Sequence, residues 1–229
     1  MNPRDRAIEL IETDRKLAAL RAAVVGVLDD DPGHDLEHCL RVAGWAMHCA
    51  EEGVDPRECV AAALLHDLVN LPKDHPERAA ASERSAAEAR AILPKYGFDE
   101  SAVERIARAV EDHSFSRGAT PRDPLGDAIQ DADRLEALGA LGLMRTISTG
   151  TRMGARYFHA RDPWAEGRPL DDRRYSVDHF FTKLLGLPDT LRTPTGRAEA
   201  RRRADFLEGF LRQLEGELGQ AREESPSEA

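Results

Sequence analysis

Apolar residues recur at helical spacing along almost the whole chain, and no stretch alternates apolar and polar residues over the length of a strand. One apolar stripe consists of Leu17, Leu20, Val24 and Val27, and a second runs through residues 39–50. Such a period places the apolar side chains on one face of an α-helix, whereas a half-buried strand needs a period of two. Aromatic residues, which strands favour, make up only 5% of the chain. The pattern therefore predicts an all-α fold.

Six further helices follow from the same spacing and from helix-start signals such as Asp55-Pro56 and Asp123-Pro124. They are predicted at residues 55 to about 68, 77–93, 99–113, 123–135, 177–185 and 207–218. Residues 150–175 are rich in Gly, Pro, Arg and Asp and show no clear period. An irregular excursion of that length favours a functional or mobile segment such as a lid. Residues 219–229 are acidic and contain Ser and Pro, so we expect a disordered tail.

Length and composition exclude several classes of protein. A chain of 229 residues forms one large domain or two small ones, and a net charge of −10 argues against binding to duplex nucleic acid. The longest apolar runs are seven residues, far short of the ~20 that a membrane-spanning helix needs. The N-terminal residues are charged and lack the apolar core of a secretion signal, and three cysteines without a CxxC pair predict no disulfide. We expect a cytoplasmic protein without a membrane partner. The sequence leaves its oligomeric state, a homo-oligomer included, open.

Two histidines and two aspartates are the candidate metal ligands. His66 and Asp67 end an apolar helical run, where polar groups are costly unless they are paired or bound to a metal. The alternative is a helix-terminal pair that only bonds the backbone. His38 borders the buried stripe of its own helix, where a lone histidine is otherwise a core residue with its hydrogen bonds satisfied. Asp133 lies at i+4 from Ile129 on an apolar face.

The neighbouring Asp131 is turned about 200° away from Ile129, so Asp133 is the acid predicted to point inward. Together with His38, His66 and Asp67 it would form a set of two nitrogen and two oxygen ligands with room for water. Such a set suits a divalent ion and differs from a closed structural zinc site. Manganese is the preferred ion, with Mg, Fe, Ni, Co and Zn as alternatives.

The order of these residues along the chain resembles the H…HD…D signature of the HD superfamily of all-α, metal-dependent phosphohydrolases. The likeness is greatest to its small, single-domain bacterial branch, the YedJ-like predicted phosphohydrolases, and covers roughly residues 17–218. Its further motifs are Gly33-His34-Asp35-Leu36-Glu37-His38, Val69-Asn70-Leu71-Pro72-Lys73-Asp74-His75-Pro76, His113-Ser114-Phe115-Ser116, Glu136-Ala137-Leu138-Gly139-Ala140 and Arg168-Pro169-Leu170-Asp171-Asp172. The resemblance implies one HD-type helical bundle over residues 1–218.

By this resemblance, His38, His66, Asp67 and Asp133 carry over as metal ligands, and a nucleotide is the implied substrate. Stringent-response hydrolases of the superfamily have Glu-Asp where this chain has Asn70-Leu71, and the Gly-Tyr-Pro form that cleaves cyclic dinucleotides is absent. No adjacent pair of histidines lies between the HD motif and the last aspartate, which favours a single metal ion.

Six further residues are candidates for catalysis or substrate binding. His34 and Asp35 precede the His38 helix, where either could orient a water molecule or stabilise a leaving group; the alternative is that they only cap the helix. Arg41 and Lys73 are candidate cations for substrate phosphates. Asn70 is a candidate phosphate donor, and His113, at the end of its own apolar stripe, is placed to face the same cleft.

Three functions remain open from the sequence. The favoured one is hydrolysis of a phosphate ester or anhydride in a small molecule, with nucleotides first, by metal-activated water. The second is a non-catalytic nucleotide-sensing module that keeps the fold. The third is an HD-type di-iron oxygenase, which needs more histidine or carboxylate ligands than the four already named.

Overall fold

The computed structural model describes residues 2–28, 33–71, 75 and 77–221, and these form ten α-helices without any β-strand. The helices are α1 (Pro3–Thr13), α2 (Arg15–Val25), α3 (Leu36–Cys49), α4 (Pro56–Leu65), α5 (Ala81–Ile92), α6 (Glu100–Asp112), α7 (Pro124–Leu135), α8 (Gly139–Arg152), α9 (Asp178–Thr182) and α10 (Pro194–Leu218). Among the residues described, no helix has both the length and the apolar character needed to cross a bilayer. The predicted all-α fold is confirmed.

Aspartate side chains start many of these helices, because a carboxylate can accept hydrogen bonds from the unpaired N–H groups of a first turn. Asp55 accepts from the backbone N–H of Arg57 at 2.8 Å, and Asp123 accepts from that of Gly126 at 2.9 Å. In both cases a proline occupies the first helical position, where its missing N–H costs nothing. The Asp-Pro start signals therefore mark the true beginnings of α4 and α7.

The structure corrects several predicted boundaries. Helix α4 ends at Leu65, three residues earlier than expected, and α10 begins at Pro194, well before residue 207. Helices α1 and α8 were not predicted, because neither has a long apolar stripe. The expected helix at 177–185 is the short α9, followed by a 3-10 helix at Leu184–Thr190. Most of the predicted disordered tail lies outside the described residues.

The chain divides into two compact units, Met1–Glu136 with Leu191–Gly196, and Ala137–Thr190 with Arg197–Ala229. In the first unit, α3 packs against α1, α4 and α7, while α6 packs against α4, α5 and α7. Helix α4 is buried on every side, which explains its unbroken apolar run. That residues 1–218 form one domain stays a prediction.

The second unit contains the predicted irregular excursion. Its first three residues, 150–152, are helical and end α8, and the irregular part runs from there to the start of α9. Hydrogen bonds tether it within this unit. Arg156 and Tyr175 form a one-residue bridge, and the Trp164 indole N–H donates to the backbone carbonyl of Gln220 at 2.7 Å. Phe180 of α9 stacks on Phe210 of α10 with ring centroids 5.8 Å apart. The role of the excursion, including that of a lid, stays a prediction.

The three cysteines are free and buried, as the sequence predicts. Burial, reinforced by the neighbouring Glu58 carboxylate, raises the pKa of the Cys59 thiol to about 12. These thiols therefore behave as small core side chains.

We expect Gly44→Ala to destabilise the protein by about 1–3 kcal/mol, because the backbone of α1 lies directly against Gly44 of α3 and leaves no room for a side chain. A Cβ at Gly44 would lie 2.3 Å from the Pro3 carbonyl carbon and 2.5 Å from the Arg4 backbone nitrogen. Backbone atoms cannot rotate away as a flexible side chain would. Urea unfolding measures the effect. Gly26→Ala is the matched control, since its Cβ meets nothing within 4 Å, and equal stability of the two variants would contradict the close approach.

Candidate metal centre

Three helices of the first unit bring the four predicted ligands together. His38 lies in the first turn of α3, His66 and Asp67 follow directly on the buried α4, and Asp133 lies in the last turn of α7. Helices α3, α4 and α7 pack against one another. His38 and His66 are completely buried. The apolar α4 thus carries a His-Asp pair to the point where α3 and α7 supply the remaining two groups.

The two imidazoles and one carboxylate form a tight group. His38 Nε2 lies 3.2 Å from His66 Nε2, and Asp67 Oδ2 lies 3.3 Å from His66 Nε2 and 3.8 Å from His38 Nε2. One candidate ligand atom from each residue lies within 4.8 Å of the other two. Asp133 Oδ1 is 3.6 Å from His38 Nε2 and 3.9 Å from His66 Nε2. The structure therefore gathers all four residues predicted as ligands.

The donor chemistry of this group fits a divalent cation. His66 Nδ1 donates to the Ala63 carbonyl at 2.7 Å, and His38 Nδ1 faces Glu136 Oε2 at 3.4 Å. With the hydrogen on Nδ1, both rings direct their Nε2 lone pairs at the same region. Two lone pairs and a carboxylate oxygen this close repel one another unless a proton or a metal ion lies between them, and a bound divalent ion would take the place of that proton. Nitrogen and carboxylate ligands of this kind are those of catalytic metal sites.

The electrostatics of the group also favour a cation. Burial works against a charged His66, yet the carboxylates of Asp67 and Asp133 raise its pKa to about 9. Burial works against ionised Asp67 as well, but the imidazoles of His66 and His113 hold its pKa well below the usual range. Burial opposes ionised Asp133 too, but the imidazoles of His66, His38 and His113 lower its pKa below the ordinary value. The two aspartates therefore supply the negative charge that a divalent ion requires.

Two more histidines surround Asp67. His113 Nε2 lies 3.6 Å from Asp67 Oδ1, and its Nδ1 donates to the Val110 carbonyl at 2.6 Å. His34 Nε2 lies 4.0 Å from Asp67 Oδ2. His113, predicted to face the cleft, and His34, predicted to orient a water molecule or stabilise a leaving group, thus both lie near the Asp67 carboxylate. Asp35 has a structural task, because its carboxylate accepts from the His38 backbone N–H at 2.8 Å and caps α3.

The remaining candidates are spread around the centre. Arg41 Nε donates to Glu136 Oε2 at 2.8 Å, so part of its guanidinium is committed to a buried carboxylate. Asn70 lines a recess beside Asp67. Lys73 lies outside the described residues. The roles predicted for these three residues stay predictions.

Asp131 corrects the helical-wheel argument. The sequence places it off the apolar face, but its side chain is completely buried. Its carboxylate accepts from the backbone N–H of Arg192 at 2.9 Å, and from the N–H of Thr193 at 2.7 Å. Asp131 therefore fastens the segment just before α10, and it is buried without joining the metal centre.

Glu136 is the neighbour of the centre that sequence reasoning missed as a functional residue. It is 1% exposed, it contacts both His38 and Arg41, and its Oε1 makes no hydrogen bond within the described residues. Burial opposes its ionisation, but His38 and Arg41 lower the pKa of Glu136 below its ordinary value. The signal that could have identified Glu136 was its position three residues after Asp133, at the end of α7.

We expect Glu136→Gln to weaken Mn²⁺ affinity about 10–100-fold, because a carboxylate behind a ligating histidine orients the ring and strengthens it as a ligand. Calorimetric titration with Mn²⁺ measures the affinity. Glu208→Gln, on the exposed face of α10, is the control. Thermal unfolding of the metal-free proteins separates positioning from folding, and a variant that lost only stability while keeping wild-type affinity would disprove this role.

The chain is similar in sequence to a known protein family and to a known relative. The family model of the HD domain matches residues 35–138, a range that contains His38, His66, Asp67, Asp133 and Glu136. The chain is 33% identical over 205 residues to the uncharacterised protein YpgQ of Bacillus subtilis strain 168, covering 87% of this chain and 92% of YpgQ.

Solved structures agree with that match. The crystal structure of Bacillus subtilis YpgQ in complex with ADP aligns with a TM-score of 0.69 at 30% identity, over 89% of this chain and 95% of YpgQ. A predicted HD superfamily hydrolase from an uncultured Thermotogales bacterium aligns with a TM-score of 0.63 at 28% identity, over 92% and 97%. An HD-superfamily hydrolase from Bacillus thuringiensis aligns with a TM-score of 0.66 at 28% identity, over 94% and 100%.

Proposed function

This chain belongs to the HD-domain family, and on that premise we propose that it is a metal-dependent phosphohydrolase acting on a small phosphorylated molecule, a nucleotide. The observation that carries the proposal is the convergence of His38 Nε2, His66 Nε2 and Asp67 Oδ2, two buried imidazoles and a partly buried carboxylate, with Asp133 facing both rings. We propose manganese as the ion and the cytoplasm as the location.

In this proposal His38, His66, Asp67 and Asp133 hold one divalent cation. When bound, that ion supplies a Lewis acid for the phosphoryl oxygen and lowers the pKa of a water molecule toward neutrality. Glu136 keeps the His38 ring oriented through its Nδ1. Burial of both imidazoles excludes bulk water from the ligand side of the site.

The groups around the centre have tasks that differ with their positions. His34, whose Nε2 lies 4.0 Å from Asp67 Oδ2, is the proposed general acid or base, because an imidazole at the edge of a reaction centre can transfer protons. Asp35 supports it by fixing the first turn of α3. Arg41, Asn70, Lys73 and His113 are the proposed contacts to substrate phosphate.

The nucleotide is supported by a relative: the YpgQ crystal structure contains ADP, and that chain aligns over most of its length with this one. A net charge of −10 argues for a compact substrate held by local cations and not for a long polyanion.

A substrate panel tests the proposal. Nucleoside mono-, di- and triphosphates are incubated with the protein in Mn²⁺, Mg²⁺, Ni²⁺ or Co²⁺, and phosphate and pyrophosphate are scored separately. We expect release from at least one nucleotide, loss of release with EDTA and recovery when metal is restored. Nucleotide binding without release would favour the sensing module instead.

The two imidazoles beyond the four ligands favour the di-iron oxygenase as the second candidate. His34 and His113 both lie within about 4 Å of Asp67, so the site has more nitrogen donors than one ion needs. Two iron atoms per chain, together with visible absorption of the oxidised protein, would favour that reading over the first.

A further inference from the structure

A polar recess adjoins the metal centre on the side of Asp67 and His113. It is also lined by Asn70, Arg78, Ser82 and Ser114. The space available to the centre of a water-sized sphere is about 20 Å³, and the empty volume including the part open to solvent is about 270 Å³. A recess of this size holds one oxygen-sized atom, and its open side leaves room for the atoms attached to it.

Ser82 indicates that the recess is built for a hydrogen-bonding guest. Its side chain is 3% exposed, lines the recess and lies in the first turn of α5. Its hydroxyl makes no hydrogen bond to any described residue. Buried hydroxyl groups are normally paired, and a guest in the recess would supply the partner that no described residue provides.

Arg78 gives the recess its preference for an anion. Arg78 lines the recess, and its Nη1 donates a hydrogen bond to the Leu71 carbonyl. A guanidinium has five donors, and its planar fork matches the spacing of phosphoryl oxygens. Arg78 lies in a short 3-10 helix, Arg78–Ala80, directly before α5. Helix α5 begins at Ala81 without a side-chain cap, so the positive end of its dipole lies near Arg78 and adds to its charge.

Asp67 determines when an anion can bind. Its carboxylate lines the same recess and would repel a phosphate while it remains unneutralised. A divalent cation held by Asp67 removes that repulsion. Occupation of the recess by an anion should therefore depend on the metal.

We propose that this recess is a phosphoryl-oxygen subsite, in which Arg78 and Ser82 bind one oxygen of the substrate's phosphate next to the metal centre. The inference rests on the proposed function and adds two residues to its substrate site. The alternative occupant is an ordered water molecule.

Binding of inorganic phosphate to the Mn²⁺-loaded protein tests the proposal, because this probe cannot be hydrolysed and needs no turnover. We expect Arg78→Met to weaken phosphate binding by about tenfold or more, as loss of a charge-assisted hydrogen bond does. Arg84→Met is the matched control, since Arg84 lies six residues further along, in α5, but is exposed and pairs with Glu77. Its phosphate affinity should stay within about twofold of wild type.

Ser82→Ala is the second variant, and it protects the test against a folding defect in Arg78→Met. It removes only the hydroxyl, so we expect weaker phosphate binding by a few-fold, about 3–10, with unchanged or higher thermal stability. Wild-type affinity in both Ser82→Ala and Arg78→Met would overturn the subsite and leave water as the occupant. The absence of phosphate binding to the wild-type protein would overturn it as well.

The outcomes separate this proposal from the proposed function. If the panel shows nucleotide hydrolysis while Arg78→Met and Arg84→Met bind phosphate equally, the subsite is wrong and the function stands. If no nucleotide is hydrolysed but Arg78→Met alone loses phosphate, the subsite stands and the function is wrong.

Discussion

Replacing Asp67 by asparagine is expected to lower nucleotide hydrolysis about a thousandfold or more and to abolish stoichiometric Mn²⁺ binding. Asp67 is the hub of the centre, because its two oxygens lie 3.3–4.0 Å from the nearest Nε2 atoms of His34, His38, His66 and His113. Asparagine keeps the shape and removes the charge. Since a metal contributes several kcal/mol to stabilising a transition state, its loss corresponds to a rate change of this order.

Activity, measured as phosphate and pyrophosphate release, is compared with metal content by elemental analysis. Asp205→Asn is the control, because Asp205 lies exposed on α10 and outside the first unit. Circular dichroism confirms that both variants remain helical. An Asp67→Asn protein that bound one Mn²⁺ per chain and kept its activity would rule out the assigned centre.

Arg168→Met should destabilise the second unit by about 3–5 kcal/mol, because it leaves the Asp178 carboxylate buried without its cation. Asp178 is completely buried, and its two oxygens accept from Arg168 Nη1 at 2.5 Å and Nη2 at 2.7 Å. The backbone N–H of Asp171 donates to the same carboxylate at 2.7 Å. These bonds fasten the irregular excursion to the start of α9, so the loss is expected to loosen that segment.

Urea unfolding gives the free energy, and limited proteolysis locates the cleavage. Arg201→Met, on the exposed face of α10, should change stability by less than about 0.5 kcal/mol. The double variant Arg168→Met with Asp178→Asn removes both charges and should recover part of the loss. An Arg168→Met protein as stable as wild type would show that this pair does not hold the excursion.

The all-α fold was predictable because the spacing of apolar residues and the Asp-Pro start signals are local features, each visible within a few residues of the sequence. Asp55 and Asp123 begin their helices where the sequence indicates. Helices α1 and α8 were not predictable in this way, because they bury only a few side chains each. Helix α4 ends at Leu65 and not near residue 68 as predicted, because the chain leaves the helix where His66 and Asp67 turn toward the centre.

The candidate centre was predictable in its members and not in its surroundings. The pattern selected His38, His66, Asp67 and Asp133, and these four residues do converge. The wheel placed Asp131 away from the core, but the segment before α10 packs over that face and buries it. A helical wheel considers only the residues of one helix, so it does not include a segment that lies about sixty residues further along the chain.

The amino-acid sequence by itself determined the helical class, the places where several helices start and the residues suited to hold a metal, since these depend on local spacing and on side-chain chemistry. Only the tertiary structure decided that Glu136 lies behind His38, that His34 and His113 flank Asp67, and that Arg78 and Ser82 share a recess with it. The physical reason is that hydrogen bonds and charges act over a few ångströms, and packing alone brings distant residues within that range.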